Sequence, residues 1–420
     1  MGSLRAHTLG CNVNYADVQA VAELLRGRGR VNASLVGTCC VTAEGEKQSR
    51  KEVRRAARRA GPQGRVFVTG CAARLRPEAF SGLAENVTVV AGEPREAAAA
   101  ITAVLDGLEP AAAAGAATAY SRPKSDGATP GRTRFFLKIQ DGCANGCSYC
   151  VIPQVRGRPR SLPLEVVRRS AVEMVAAGFS ELVVTGINAG SWRDGGLELA
   201  DLLEALAATP GLKRLRLSSI EAGRVTPRLL EVMQRQRAVC THLHLPLQSG
   251  DDRVLAAMGR RYDAAAFMEA VGRVRDMLPG VNLTTDVIAG FPGEDEAAFE
   301  NTLRLVETAG FSKVHVFTYS LRPGTVAAGM GDHVLPEEKK RRSQALRKLS
   351  DELQGVHRQR KVGLTGEILL ESPVAPGVHG GYSTDYTRFE VRGGAPGEVA
   401  RVRATGVSSS AVIGEVIVDE

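Results

Sequence analysis

Three cysteines, Cys143, Cys147 and Cys150, stand in the stretch FFLKIQDGCANGCSYCVIP (Phe135 to Pro153), separated by three and then two residues. Thiols this close in sequence suit one compact metal site. A zinc site would want a fourth Cys or His at a matching interval, and no second Cys pair follows. A cubane iron-sulfur cluster is ordinarily held by four cysteines, so three thiolates leave one iron open to another ligand, and chemistry becomes available there. Three inert buried thiols are the competing reading. Free Cys behaves as a small hydrophobe that seeks element interiors, whereas these lie in a Gly-punctuated loop with Asn145 and Ser148.

Three more cysteines share a different context. His7 to Gly10 reads as the end of a strand and is followed by Cys11; the apolar run Ala33 to Thr38 ends at Cys39, and Arg65 to Thr69 ends at Gly70 and Cys71. Open α/β sheets place ligands at the C-terminal edges of their strands, so convergence on a second cluster is geometrically reasonable. Single cysteines this far apart are as readily structural, and Cys40 beside Cys39 leaves the choice within that pair open. Cys240 reads as simple burial, and His242 and His244, alternating on one strand, as packed side chains rather than metal ligands.

The elements that must position these residues follow from the pattern. Asn14 to Arg26 has helical apolar spacing, and Glu46 to Arg59 is a strongly basic helix that serves either as a solvated face or as a phosphate contact. From about Pro110 to Pro130 the chain is rich in Ala, Gly, Ser and Pro without periodicity, as in a linker. Six strand-like runs then alternate with helical patterns: Phe135 to Ile139, Leu182 to Thr185, Leu215 to Ser218, His242 to Leu245, Leu283 to Ile288 and Val314 to Phe317. Six βα units imply a parallel sheet with right-handed crossovers. After a charged helix, Pro336 to Arg360, short alternating runs (Glu367 to Leu370, Thr387 to Val391, Glu398 to Ala404, Ala411 to Val418) read as a small antiparallel barrel.

A chain of 420 residues, 44% apolar, is long enough for two or three domains. Lys and Arg exceed Asp and Glu by 54 − 46 = 8, which admits a polyanionic partner. The N-terminus has no apolar signal core and no run approaches the about 18 apolar residues of a membrane span, so the expectation is a cytoplasmic protein without membrane association. Eight cysteines in that compartment point to metal or redox use, not to disulfides.

The string KIQDGCANGCSYCVIPQVRGRPRS, with Tyr149 before the last Cys, resembles radical SAM enzymes and within them the methylthiotransferase branch. The resemblance implies that Cys143, Cys147 and Cys150 are the catalytic ligands of a 4Fe-4S cluster whose open iron binds S-adenosyl-L-methionine, which one electron cleaves to a 5'-deoxyadenosyl radical. TLGCNVNYAD, GTCCVTAEGEKQSR and VTGCAARLRPEAF resemble the three motifs of the family's N-terminal domain, which implies Cys11, Cys39 and Cys71 as ligands of an auxiliary 4Fe-4S cluster. Gly37 stands where Asn is common in the family. TGIN, SSIE, HLPLQSG and DVIAGFPGE also match, placing Tyr149, Gly186, Ser219, Glu221, Gln248, Ile288 and Gly290 at the S-adenosylmethionine pocket, and YSLRPGT (Tyr319 to Thr325) matches near the end of that domain.

GYSTDYTRFEV resembles the TRAM domain, a small β-barrel that commonly binds RNA, with Asp385 in place of the usual Asn. Tyr382, Tyr386 and Phe389 there are open to base stacking or to the barrel core. The fold class implied is α/β: an N-terminal open α/β domain (1–109), a linker (110–132), a partial (βα)6 radical SAM barrel (133–356) and a TRAM barrel (357–420). TLGC-x-VN, LKIQDGC and SSIEA most resemble the branch acting on threonylcarbamoyladenosine beside the tRNA anticodon. The implied partners are tRNA, through its anticodon stem-loop, and an electron donor such as flavodoxin or ferredoxin. Methylthiolation of isopentenyladenosine or of a ribosomal-protein aspartate is the alternative within the family, and a non-catalytic RNA-binding iron-sulfur protein the alternative outside it.

Overall fold

The structure, a computed structural model, describes residues 4–25, 32–107 and 133–417; the expected linker, 110–132, lies outside the described residues. The chain divides into two compact units. One comprises Met1–Pro123, Asp141–Arg160 and Ser320–Ala328, and the other Lys124–Gln140, Ser161–Tyr319 and Gly329–Glu420.

In the first unit four strands, β1 (Arg5–Thr8), β2 (Ala33–Thr38), β3 (Arg65–Gly70) and β4 (Val87–Val89), lie in sequence order in one parallel sheet. Every residue of β2 and all but the first of β3 are buried, as befits central strands covered on both faces. The period-2 alternation sorts them. Leu35 and Phe67 pack with Val18 and Val21 of α1 (Asn12–Leu24), while Val36, Val66 and Val68 pack with Val53 and Ala56 of α2 (Ala43–Ala60). Thr42 caps α2, its hydroxyl accepting from Gly45 N at 2.9 Å, and Gly61 ends the helix at φ +68°. A five-residue helix, α3 (Cys71–Leu75), follows β3 directly, and α4 (Pro94–Leu105) closes the second face with Ala97 and Ile101.

The second unit carries the six expected strands: β5 (Arg134–Asp141, its last residue in the first unit), β6 (Glu181–Gly186), β7 (Arg214–Leu217), β8 (His242–His244), β9 (Asn282–Ala289) and β10 (Lys313–Thr318). β5, β6 and β7 pair in parallel, as do β8, β9 and β10, and the bridges Leu215 to Val239 and Ser219 to His244 join the two groups. The order therefore runs β5 to β10 without reversal, a partial barrel.

Five more strands, β11 (Thr365–Ala375), β12 (Val378–Ser383), β13 (Arg388–Arg392), β14 (Val399–Val407) and β15 (Val412–Val416), close into a small barrel around Ile368, Leu370, Phe389, Val391 and Val402. It departs from the expected all-antiparallel form in one pairing, because β13 runs parallel to β15. Strand β12, VHGGYS, escapes an alternation pattern because two glycines occupy it; a Cβ on Gly381 would stand 2.4 Å from Leu369 O.

The turn after β12 seals the N-terminal ends of the barrel strands within this unit. Arg214 donates to Tyr382 O and Ser383 O at 2.7 Å, Arg216 to Ser383 O and Thr384 O at 3.0 Å, and Asn282 to Asp385 O at 2.7 Å. Buried Glu181 lies 2.8 Å from the Nε of each guanidinium as an ion pair and accepts hydrogen bonds from Arg216. Tyr382 and Tyr386 stack on each other with centroids 4.9 Å apart, with Arg134 over the first ring and Arg216 over the second, whereas Phe389 is a core residue. Of the three aromatics, one belongs to the barrel interior and two to this docking surface.

Candidate active site

Because β1, β2 and β3 are adjacent and parallel, in register Thr8 to Gly37 and Thr38 to Gly70, the residues that follow them emerge at one edge of the sheet. Cys11 caps the start of α1, Cys39 and Cys40 follow β2, and Cys71 opens α3. Glycine permits the approach. A Cβ on Gly10 (φ +100°) would lie 3.0 Å from Cys39 Cβ and 3.1 Å from its sulfur, and one on Gly70 (φ +94°) would strike Thr38 backbone at 2.6 Å. Asn14 ties the first two turns together, donating to Leu9 O at 2.6 Å and Thr38 O at 3.2 Å, and Thr38 donates to Thr69 O at 2.7 Å. Where the family commonly has Asn, Gly37 leaves no space for one: a Cβ there would be 2.4 Å from Val18 Cγ2.

The adjacent pair divides. Cys40 is fully buried in the core formed by Val36, Val53 and Val68, in the same cluster as Cys71. Cys39 lies outside that core, against Gly10, with its N–H donating to Ser49 Oγ at 3.0 Å. Burial pushes the Cys39 thiol up to about 11. Cys71 is held below the usual thiol range, first by the neighbouring Cys40 thiol and then by the Arg156 guanidinium, which together outweigh its burial.

Arg156 is the residue that sequence reasoning missed. It ends the short helix α5 (Ile152–Arg156), six residues past the last cysteine of the loop, and is 3% exposed. Its Nε donates to Cys71 Sγ at 3.2 Å and its Nη1 reaches Asp17 at 2.9 Å and both oxygens of Asp141 at 3.0 Å. Its Nη2 and the Nε of Arg322 are buried donors without a partner among the described residues. Arg322, in YSLRPGT, pairs with buried Glu46 at 2.7 Å. The only advance signal of Arg156 was its place inside the quoted motif string.

The loop bearing Cys143, Cys147 and Cys150 belongs to the same unit. Gly142 (φ +72°) turns the chain out of β5 so closely that a Cβ would meet Arg158 O at 2.1 Å, and Cys143 N–H donates to Gly157 O at 3.1 Å. Cys150 N–H donates to Cys147 O at 3.1 Å, curling the last two cysteines into a turn around Ser148 and Tyr149. All three thiols are partly exposed.

Among the described residues no three His, Cys, Asp or Glu side chains stand at the separation of ligands to a single ion. A cubane cluster binds each thiolate through a different iron and asks for a wider set. Three thiols at one sheet edge, beside a buried guanidinium whose charge favours thiolate, fit that requirement for the first triad, and three partly exposed thiols in a Gly-turned loop fit it for the second.

In the second unit the remaining expected residues gather at the C-terminal ends of the strands. Gly186 ends β6, where a Cβ would crowd Gln140 at 3.1 Å; Gln140 in turn accepts from Asn188 N–H at 2.8 Å. Ser219 and Glu221 follow β7, and Glu221 pairs with Arg260 at 3.1 Å. Gln248, at φ +72°, exchanges backbone hydrogen bonds with β9, donating to Asp286 O and accepting from Ile288 N–H. Gly290, at φ +76°, donates to Glu294, whose carboxyl is raised by burial although Arg342 pairs with it at 2.8 Å. Tyr149 lies in the other unit. Cys240 is buried, as expected, and His242 and His244 share Thr284 Oγ1 at 3.0 and 2.9 Å as packed, hydrogen-bonded side chains.

Against known proteins, residues 137–306 match the radical SAM superfamily and residues 3–92 match a family described as uncharacterized protein family UPF0004. The chain is 36% identical, over 98% of its length and 96% of the relative's, to the threonylcarbamoyladenosine tRNA methylthiotransferase MtaB of Thermotoga maritima. The chain belongs to the radical SAM methylthiotransferase family. Other members it resembles are MtaB of Bacillus subtilis, at 37% over 84% of this chain and 81% of that one, and the tRNA-2-methylthio-N(6)-dimethylallyladenosine synthase of Chlorobium luteolum, at 33% over 97% and 95%. Among solved structures, the radical S-adenosylmethionine methyltransferase TsrM from Kitasatospora setae superposes with a TM-score of 0.56 at 15% identity, covering 78% of this chain and 77% of that one, a likeness of fold. The family's cofactors are 4Fe-4S clusters and S-adenosylmethionine. No helix among the described residues is long and apolar enough to cross a membrane.

Proposed function

We propose that this protein is a tRNA methylthiotransferase that inserts a methylthio group at carbon 2 of threonylcarbamoyladenosine beside the anticodon. The observation that carries the reading is the presence of two separate cysteine triads, one at the shared edge of β1 to β3 and one in the loop after β5, on a chain similar end to end to relatives named for this reaction. Radical generation needs one open iron and sulfur delivery needs another, and two triads of three meet both needs. The boundaries we assign are an auxiliary domain over 1–109, the partial barrel over 133–356 and a TRAM domain over 357–420.

Cys143, Cys147 and Cys150 would hold the radical cluster, and Cys11, Cys39 and Cys71 the auxiliary one. Bound there, the clusters and S-adenosylmethionine supply reductive cleavage of a sulfonium and a transferable methylated sulfur. The chain's own residues position and insulate. Arg156 offsets negative charge beside Cys71 and fixes Asp17 and Asp141 around it. Gly186, Ser219, Glu221, Gln248, Ile288 and Gly290 line the strand ends, where Glu221, oriented by Arg260, can accept from a hydroxyl or ammonium group. A reduced flavodoxin or ferredoxin would supply the electron.

Deleting the gene tests the substrate. Digested total tRNA should lose 2-methylthio-threonylcarbamoyladenosine while the unmethylthiolated precursor rises in exchange. Loss instead of the methylthio form of dimethylallyladenosine, or of methylthio-aspartate on the ribosomal protein, would assign a different branch.

A further inference from the structure

Of the seven cations on the basic helix α2, four have acidic partners and three, Lys51, Arg54 and Arg58, have none among the described residues. Lys47 pairs with Glu44 at 3.8 Å, Arg50 with Glu46 at 2.7 Å, and Arg55 and Arg59 share Glu52 at 3.8 and 2.5 Å. Arg54 and Arg58, one turn apart, are exposed and have no acidic partner among the described residues, and neither does Arg65 at the start of β3. These three line one side of a cleft of about 710 Å³ in the first unit. Its floor is the turn over residues 61–64, held from beneath by Asn86, which donates to Ala57 O, Gly61 O and Gly64 O at 3.0 to 3.3 Å. Gln63 adds an amide, Glu85 is the lone carboxylate in the lining, and no aromatic side chain contributes.

Like charges at i and i+4 weaken a helix by a few tenths of a kcal/mol, about as much as a single i, i+3 or i, i+4 ion pair returns. Three guanidiniums against one carboxylate, Glu85, leave the cleft with a net positive charge that suits an external polyanion. A single strand would be held by stacking on aromatics, which the cleft lacks, whereas a duplex offers a phosphate rail that arginine forks can grip without reading bases. Arg54 and Arg58 lie 11 and 15 residues along α2 from Ala43, three residues after Cys40. At about 1.5 Å per residue they stand roughly 17 to 22 Å from the cysteine end of the helix. A nucleotide presented at the auxiliary triad would bring its flanking stem, not its own loop, to this distance.

We propose that the cleft of Arg54, Arg58 and Arg65 grips the phosphate backbone of the tRNA stem that carries the modified nucleotide. The inference rests on the reading of this chain as a tRNA enzyme. Its test is tRNA binding by the cluster-loaded, full-length protein across a salt series, comparing Arg54→Gln/Arg58→Gln with Arg55→Gln/Arg59→Gln, two variants of equal net charge. Losing two phosphate contacts should lower the slope of log K against log salt by about 1.8 and weaken binding at ~0.1 M salt by roughly ten- to sixtyfold. The ion-paired control should change less than half as much. KM for tRNA should rise with kcat at saturation retained, and an oligonucleotide of the loop without its stem should bind both variants alike. Equal loss in the two variants, or wild-type binding by Arg54→Gln/Arg58→Gln, overturns the cleft while leaving the tRNA reading intact; an equal effect on the stemless loop overturns the stem. A wild-type protein that fails to bind tRNA at all overturns the functional reading itself.

Discussion

Removing the Arg156 guanidinium should loosen the auxiliary site while leaving all cysteines in place. Arg156→Met keeps the apolar stem but strands Asp17 and Asp141, 5% and 6% exposed, without the cation that each now touches at 2.9 to 3.0 Å. Breaking a buried pair from one side costs about 3–5 kcal/mol, and two carboxylates are left here in place of one. With a urea slope of roughly 2–3 kcal/mol/M, a loss of about 4 kcal/mol lowers the midpoint by roughly 1.5 M. The assay is anaerobic urea titration of the reconstituted protein, following the visible iron-sulfur absorbance. Arg156→Lys should recover only part of the loss, because one ammonium cannot reproduce the planar fork that serves two carboxylates and a thiol at once. Adding Asp17→Asn and Asp141→Asn to Arg156→Met should recover part of the loss, since the two buried carboxylate charges that faced the guanidinium are then gone. A midpoint for Arg156→Met within ~0.3 M of wild type with full iron retained would refute the claim that this buried pairing matters to the site.

Changing Cys143, Cys147 and Cys150 together to Ala should halve the about eight irons expected of two clusters on anaerobic reconstitution; full retention contradicts the assignment. Cys39→Ala should abolish the auxiliary cluster and Cys40→Ala should spare it at some cost in stability, because Cys40 fills the core beside Val36 and Val53; iron analysis of the two variants decides between them. Gly142→Ala should lose the radical cluster alone, as its Cβ would need to stand 2.1 Å from Arg158 O at a φ of +72°; unchanged S-adenosylmethionine cleavage would show that the turn is not needed. Burial alone would raise the Asp385 carboxyl, but Lys361 and the Ser383 hydroxyl hold it at about 2, so its contribution is complete above about pH 4 and is lost as pH falls toward 2. Of roughly 2.5 kcal/mol, about 1 should be gone by pH 3. Urea unfolding of the cluster-free chain should therefore show the gap between wild type and Asp385→Asn narrowing from pH 5 to pH 3, and a constant gap would contradict the pairing.

The sequence by itself determined the elements whose signal is local. The buried runs Ala33 to Thr38 and Arg65 to Thr69, each ending in a cysteine, and the six βα repeats all became strands where hydrophobic periodicity put them, because that pattern is set by which faces must leave water. The cysteine spacing after β5 likewise needs no tertiary partner to be read. Strand β12 stayed hidden because Gly380 and Gly381 replace the side chains that would have shown alternation, and their reason, backbone passing within 2.4 Å at Leu369 O, exists only once β11 lies beside them. The parallel pairing of β13 with β15 depends on barrel closure, which no local pattern encodes. Tertiary structure alone also decided the fates of charges. Arg156 and Arg54 are both arginines in basic stretches, yet one is buried against Asp17, Asp141 and Cys71 while the other stands unpaired at a cleft. A charge's cost and use depend on what folding brings within a few ångströms of it, and its partners here come from up to 139 residues away.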